Sequence, residues 1–160
     1  MARKKPEFLS LGFAVIDWIE TFLVHGPGDV EGERVQLDDE FAAFILRAYE
    51  LKPDGTRKIR RGVISRPKGR AKSELAAFIA AAEALAPVRF SHFAERGEVS
   101  PWGYEYAEGE PVGEAVKRPT ISCFATEFGQ AGNTFDAIRY MLNPDTASDS
   151  LVQHYGRVDV

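Results

Sequence analysis

The chain of 160 residues sets 20 Lys and Arg against 24 Asp and Glu, a formal net charge of −4, and 44% of its residues are hydrophobic. This composition excludes an intrinsically disordered chain and supplies apolar mass for a globular core. No run approaches the roughly 20 apolar residues of a membrane span, no signal peptide is visible, and the lone Cys123 excludes an internal disulfide. Cys123 sits in an apolar run, which points to a core residue in a reducing compartment rather than to redox chemistry.

Apolar spacing predicts a first helix over Leu11 to Val24, stopped by His25-Gly26-Pro27-Gly28, with a turn over Gly28 to Gly32. A second helix, Leu37 to Leu51, places Phe41, Phe44, Ile45 and Ala48 on one face, with Asp38 and Asp39 at its N-terminal end. Lys52-Pro53-Asp54-Gly55 closes it with a turn. Next comes a short apolar run, Gly62-Val63-Ile64-Ser65, read as a buried strand. It is followed by an alanine-rich helix, Ser73 to Leu85, with Leu75, Phe78, Ile79 and Ala82 at helical spacing. The segment Ala86 to Arg118 is broken by repeated Pro and Gly and reads as loop, its Phe90, Phe93, Trp102, Tyr104 and Tyr106 covering a domain edge. A strand over Thr120 to Ala125 and a helix over Gln130 to Leu142 form a second strand-to-helix unit, and Asn143-Pro144-Asp145 stops that helix. Ser148 to Val160 starts another element. The expected fold is α/β: a parallel sheet flanked by helices, of the P-loop NTPase type and incomplete, with N-terminal helices over 1–56 and a phosphate-loop core over 57–160.

Between the first strand and its helix lies Arg66-Pro67-Lys68-Gly69-Arg70-Ala71-Lys72-Ser73. A phosphate loop joins a strand end to a helix start in this way, so that backbone N–H groups and the helix dipole face the anion. Lys72 then neutralises the β- and γ-phosphates, and Ser73 binds the Mg²⁺ that arrives with the nucleotide. The common pattern G-x-x-x-x-G-K-[ST] is matched imperfectly, because Arg66 and Ala71 replace its two glycines. At Ala71 a positive φ costs a Cβ-bearing residue about 1 kcal/mol or more. Arg57, Lys58, Arg60, Arg61, Arg66, Lys68, Arg70 and Lys72 form the most basic stretch of the chain. The residues alone leave two readings open: a polyanion site for nucleotide or nucleic acid, and a solvated basic turn.

The run Arg60 to Ser73 resembles the ATPase loop of tailed-phage terminase large subunits. The likeness continues through Asp17-Trp18-Ile19-Glu20, Gly28-Asp29-Val30-Glu31-Gly32-Glu33 and the helix bearing Tyr49-Glu50, and then through Ile121 to Glu127 with Gln130, Ala131 and Asn133. The resemblance implies an ATP- and Mg²⁺-dependent motor in the host cytoplasm that drives double-stranded viral DNA into a capsid. It implies a small terminase subunit, a portal protein and a ring of copies as partners, and no membrane. It makes Arg66, Pro67, Lys68, Gly69, Arg70, Ala71, Lys72 and Ser73 the nucleotide cradle, with Ser73 on the metal, and Thr126, Gln130 and Asn133 a structural or DNA-coupling element beside the sheet. Such subunits are several hundred residues long, so the resemblance implies a piece lacking the nuclease domain.

No apolar strand ending in Asp-Glu follows Ser73, so no catalytic carboxylate is assigned and activity as an ATPase is not expected of this chain alone. Asp17 and Asp38 to Glu40 precede the loop and read as helix or cap residues; Glu127 follows a strand-like run but reads better as a strand end. Phe41, where the family often has a glutamine, reads better as a core aromatic than as a base-stacking group. His25, His92 and His154 lack metal-ligand spacing. The other reading of the basic stretch, 57–72, is a non-catalytic nucleic-acid-binding or assembly module.

Overall fold

A computed structural model describes residues 8–69, 71–124 and 128–158. Its elements in chain order are α1 (Gly12–Phe22), α2 (Asp39–Ala48), α3 (Lys72–Leu85), β1 (Arg89–Phe93), β2 (Pro111–Glu114), α4 (Phe128–Leu142) and α5 (Asp149–Tyr155). The four longer helices agree with the sequence periodicity, with ends that coincide or shift by at most three residues. None of the helices is long and apolar enough to cross a membrane.

Helix α1 is the centre of the molecule. Its Val15, Trp18 and Ile19 have no solvent exposure, and they share one core with Phe41, Ile45 and Tyr49 of the second helical segment and Leu75, Phe78 and Ala81 of α3. The Asp38 carboxylate caps α2 by accepting from the Phe41 N–H at 2.7 Å, as the acidic start of that helix predicts. Gly12 brings α1 against α2 so closely that a Cβ there would lie 2.7 Å from the Leu46 Cα. Small side chains serve α3 likewise: Ala77, Ala80, Ala81 and Ala82 are buried, and α4 packs along it with Ala137, Ile138, Met141 and Leu142. Ser148 caps α5 by accepting from the Leu151 N–H and also donates to the Phe22 carbonyl at the end of α1. The Trp18 indole N–H donates to the Tyr155 hydroxyl at 2.7 Å, so α5 is tied to α1 at two places.

The expected parallel sheet is not there. Among the described residues the only multi-residue ladder is an antiparallel pair, β1 with β2, in which Phe90 faces Gly113 and His92 faces Val112 across a bulge. It falls within the segment that the sequence assigns to loop. Gly62–Ser65 and Thr120–Phe124 instead carry no regular secondary structure and have no ladder partners among the described residues. The reason is cooperative: an apolar run becomes a strand only when a neighbour accepts and donates its backbone bonds, and no described segment pairs its backbone with either one. Val63 is 83% exposed and Phe124 92% exposed, the opposite of strands buried on both faces. Phe90, Phe93 and Trp102 pack against the main core, and Tyr106 is buried in a second, smaller cluster. Phe90 and Phe93 meet at 4.9 Å with their rings tilted by 57°, Tyr104 and Tyr106 meet edge to face at 5.0 Å, and the Trp102 indole donates to the Asp17 carboxylate at 2.8 Å.

Candidate functional site

The loop before α3 enters the helix through left-handed backbone. Gly69 has φ 80°, and Ala71, at φ 51° and ψ 27°, has the only positive φ of any described non-glycine residue. Ala71 offers no side-chain cap, so the first N–H groups of α3 keep their donors for another partner. The Lys72 ammonium folds back over the loop and donates to the carbonyls of Arg66 at 2.6 Å and Pro67 at 2.9 Å. Pro67, Lys68, Gly69 and Ser73 are exposed. The Ser73 hydroxyl makes no hydrogen bond with the described residues.

Arg66 does not join this cradle. Its guanidinium lies 4.6 Å above the Phe41 ring and pairs with Glu40 at 2.5 Å, drawn to the acidic start of α2. Phe41 beneath it is only 5% exposed, so its ring belongs to the core and offers no face to a base. Arg57 and Lys58 are also spoken for, Arg57 by Glu83 at 2.7 Å and Lys58 by Glu50 at 2.6 Å. Arg60, Arg61 and Lys68 remain exposed with no ion partner among the described residues. Arg70, Thr126 and Glu127 lie outside the described residues, as does the side chain of Gln130. Asn133 is an exposed residue of α4.

Glu74 in the first turn of α3 faces away from the loop opening. It bonds the His25 Nδ1 at 2.9 Å and accepts from the Gly26 N–H at 3.2 Å, fixing α3 to the turn after α1. No described carboxylate makes a hydrogen bond or ion pair with Lys72 or Ser73. The remaining donors of the loop fit a phosphate group: a helix N-terminus, an ammonium and a hydroxyl on consecutive residues, with Gly69 open enough that a Cβ would meet nothing within 4 Å. They do not make a base pocket at Phe41.

No local sequence pattern marks the second polar centre that lies behind the loop. The Glu83 carboxylate on α3 accepts from the Tyr49 hydroxyl at 2.9 Å, from Arg57 at 2.7 Å and from Arg89 at 2.9 Å, while the Arg57 guanidinium sits 4.0 Å over the Tyr49 ring. Burial pushes the Glu83 carboxyl upward, but the hydrogen bond and charge of Arg57, aided by Tyr49 and Arg89, outweigh it and hold the group below the usual carboxylate range. Burial and the neighbouring Glu83 push the Tyr49 phenol up, so Tyr49 stays a donor. These groups are 26 and 34 residues apart along the chain, which no local pattern reports.

No family model and no solved structure matches the chain. It is similar to two phage proteins. It is 29% identical over 153 residues to the Gene 13 protein of Mycobacterium phage L5, and 29% identical over 154 residues to the Gene 13 protein of Mycobacterium phage D29. In each case the match covers 84% of this chain and 24% of the relative, so the chain spans about a quarter of the length of these bacteriophage proteins.

Proposed function

We propose that the chain is the N-terminal, ATP-binding part of a phage terminase large subunit, the motor that packages double-stranded viral DNA with a small subunit and a portal protein in the host cytoplasm. The observation that carries the reading is the loop itself. Left-handed Gly69 and Ala71 deliver the backbone to the uncapped start of α3, where Lys72 and Ser73 follow directly. The likeness to much longer phage proteins supports it. On this reading Lys72 exchanges its bonds to the Arg66 and Pro67 carbonyls for the β- and γ-phosphates, and Ser73 meets Mg²⁺. Arg66 acts by fixing the loop to α2 rather than by touching phosphate. With no described carboxylate bonded to or paired with Lys72 or Ser73, the chain binds ATP without turning it over.

Titration with a fluorescent ATP analogue and Mg²⁺, with GTP competition and phosphate release followed in the same samples, tests the reading. Saturable binding that Lys72→Ala abolishes is the expected result. Unchanged affinity in Lys72→Ala would count against the assignment.

Exposed Arg60, Arg61 and Lys68 favour a second reading, a DNA-contacting module without nucleotide. It is the weaker of the two, because Arg57, Lys58 and Arg66 are neutralised by carboxylates within the fold. DNA affinity that falls steeply with salt and ignores both ATP analogue and Lys72→Ala is its signature.

A further inference from the structure

A groove of about 690 Å³ opens beside the loop, within the size range of small-molecule sites. One face of α3 lines it from the first turn to the last, through Lys72, Ala76, Ile79 and Glu83, residues three and four apart. From Lys72 to Glu83 that face spans about 16 Å of helix. Ile64, Ile121 and Phe124 add to an apolar lining, and Lys72 and Glu83 are its only charged residues among those described. They stand at opposite ends. At the far end the Glu83 Oε1 accepts from both Tyr49 and Arg57, whereas Oε2 accepts from Arg89 alone and can accept once more.

We infer that this groove receives the nucleoside half of a nucleotide whose phosphates meet the loop, with the base stacked on Phe124 and an amino group of the base donating to Glu83. Three observations select that occupant. Lys72 belongs to both the loop and the groove, so an anion held by its ammonium leads directly into the apolar channel. The channel between the two charged ends suits a sugar and a base. Inorganic phosphate leaves it empty, and an acyl chain would press hydrocarbon against the Glu83 carboxylate. Phe124, 92% exposed, offers an aromatic face to a ligand, which the buried Phe41 does not. Adenine, guanine and cytosine carry the amino group that Glu83 requires, and uracil does not. The inference rests on the reading of the loop as a triphosphate site, and it assigns the part of the ligand which that reading leaves unplaced.

Cys123 lines the groove and is the single cysteine of the chain, so its alkylation by N-ethylmaleimide reports occupancy without competing thiols. The probes, titrated into the intact chain with Mg²⁺, are a non-hydrolysable ATP analogue, UTP, inorganic tripolyphosphate and adenosine. The expected result is severalfold slower alkylation with the ATP analogue and with adenosine, and an unchanged rate with tripolyphosphate. Tripolyphosphate binds at least about fivefold more weakly than the ATP analogue. Phe124→Ala removes the stacking face, and Ala76→Phe fills the groove from an exposed position of α3. Each weakens the ATP analogue at least about fivefold and leaves tripolyphosphate unchanged, whereas Lys72→Ala weakens both. Tripolyphosphate binding as tightly as the ATP analogue, or full affinity for the analogue in either groove variant, overturns the inference and leaves the loop reading standing. UTP competing as well as ATP overturns the amino-bearing class of base. If neither the analogue nor tripolyphosphate binds, the loop reading fails and adenosine decides the groove: protection of Cys123 that Ala76→Phe removes upholds it, and no protection overturns it.

Discussion

Replacing Ala71 with glycine tests whether the loop before α3 is held in strained backbone. At φ 51° and ψ 27° the Ala71 Cβ crowds its own carbonyl, a conformation that costs an L-residue about 1–2 kcal/mol. Glycine removes that cost but loses about 0.5–1 kcal/mol more conformational entropy on folding. The Ala71 methyl is exposed, so its deletion opens no cavity. The balance is a stabilisation of about 0.5–1 kcal/mol, or a rise of about 1–4 °C in Tm for a chain of this size. Urea unfolding followed by circular dichroism reads it as a higher midpoint at unchanged slope. Because the strained φ is already present without ligand, relief shows in stability and leaves affinity for an ATP analogue unaltered. Equal or lower stability of Ala71→Gly would refute the left-handed assignment on which the proposed phosphate loop depends.

Glu83→Leu leaves the Tyr49 hydroxyl and the Arg57 guanidinium without their shared acceptor. Side-chain exposures of 23% for Glu83 and 29% for Arg57 temper the usual penalty for a broken buried pair. A loss of about 2 kcal/mol in denaturant unfolding is expected. The Glu83 carboxyl is held below its unfolded value, so its contribution is complete above the unfolded pKa and is lost as pH falls through the folded one. Acid unfolding of the wild type is therefore steeper below about pH 4.5 than that of Glu83→Leu, and parallel curves would remove Glu83 from that role. Gly12→Ala forces a Cβ to 2.7 Å from the Leu46 Cα, backbone that cannot swing aside, and costs about 1–3 kcal/mol; thermal melting at wild-type temperature would show that the two helices separate freely.

What was legible in the sequence is what local periodicity and local chemistry write. The apolar spacing of Val15, Trp18, Ile19 and Phe22 marks α1, Asp38 marks the start of α2, and the alanines of 76–82 mark a helix made for close packing. The loop before α3 was legible for the same reason: a Gly-containing turn between an apolar run and a helix, with Lys72 and Ser73 at the helix start, is a short-range pattern. Pairing partners are not. Arg66 looked like part of the cradle because it stands at the first position of the motif, and only the fold shows Glu40, 26 residues earlier, holding it over Phe41. Tyr49, Arg57 and Arg89 are three scattered residues until the fold brings them to the Glu83 carboxylate on α3.

The parallel sheet fails on the same ground, and the failure bears on function. Val63-Ile64 and Ile121 to Phe124 have the side chains of buried strands, but a strand is a relation between two segments, and apolar runs of four or five residues do not name their neighbours. The pair that does form, β1 with β2, lies in a stretch dense in Pro and Gly, because its close contact depends on features a propensity count reads as breakers. Pro111 and Phe93 stand opposite at the pair's end, and Gly113 admits the Pro87 carbonyl to a position only 1.9 Å from where a Cβ would sit. The side chains that suggested a buried sheet are thus the ones left most exposed, Val63 and Phe124 above all. Ile121 and Phe124 line a groove of about 690 Å³ together with Lys72, so the run with the side chains of a strand borders the loop instead of lying beneath it.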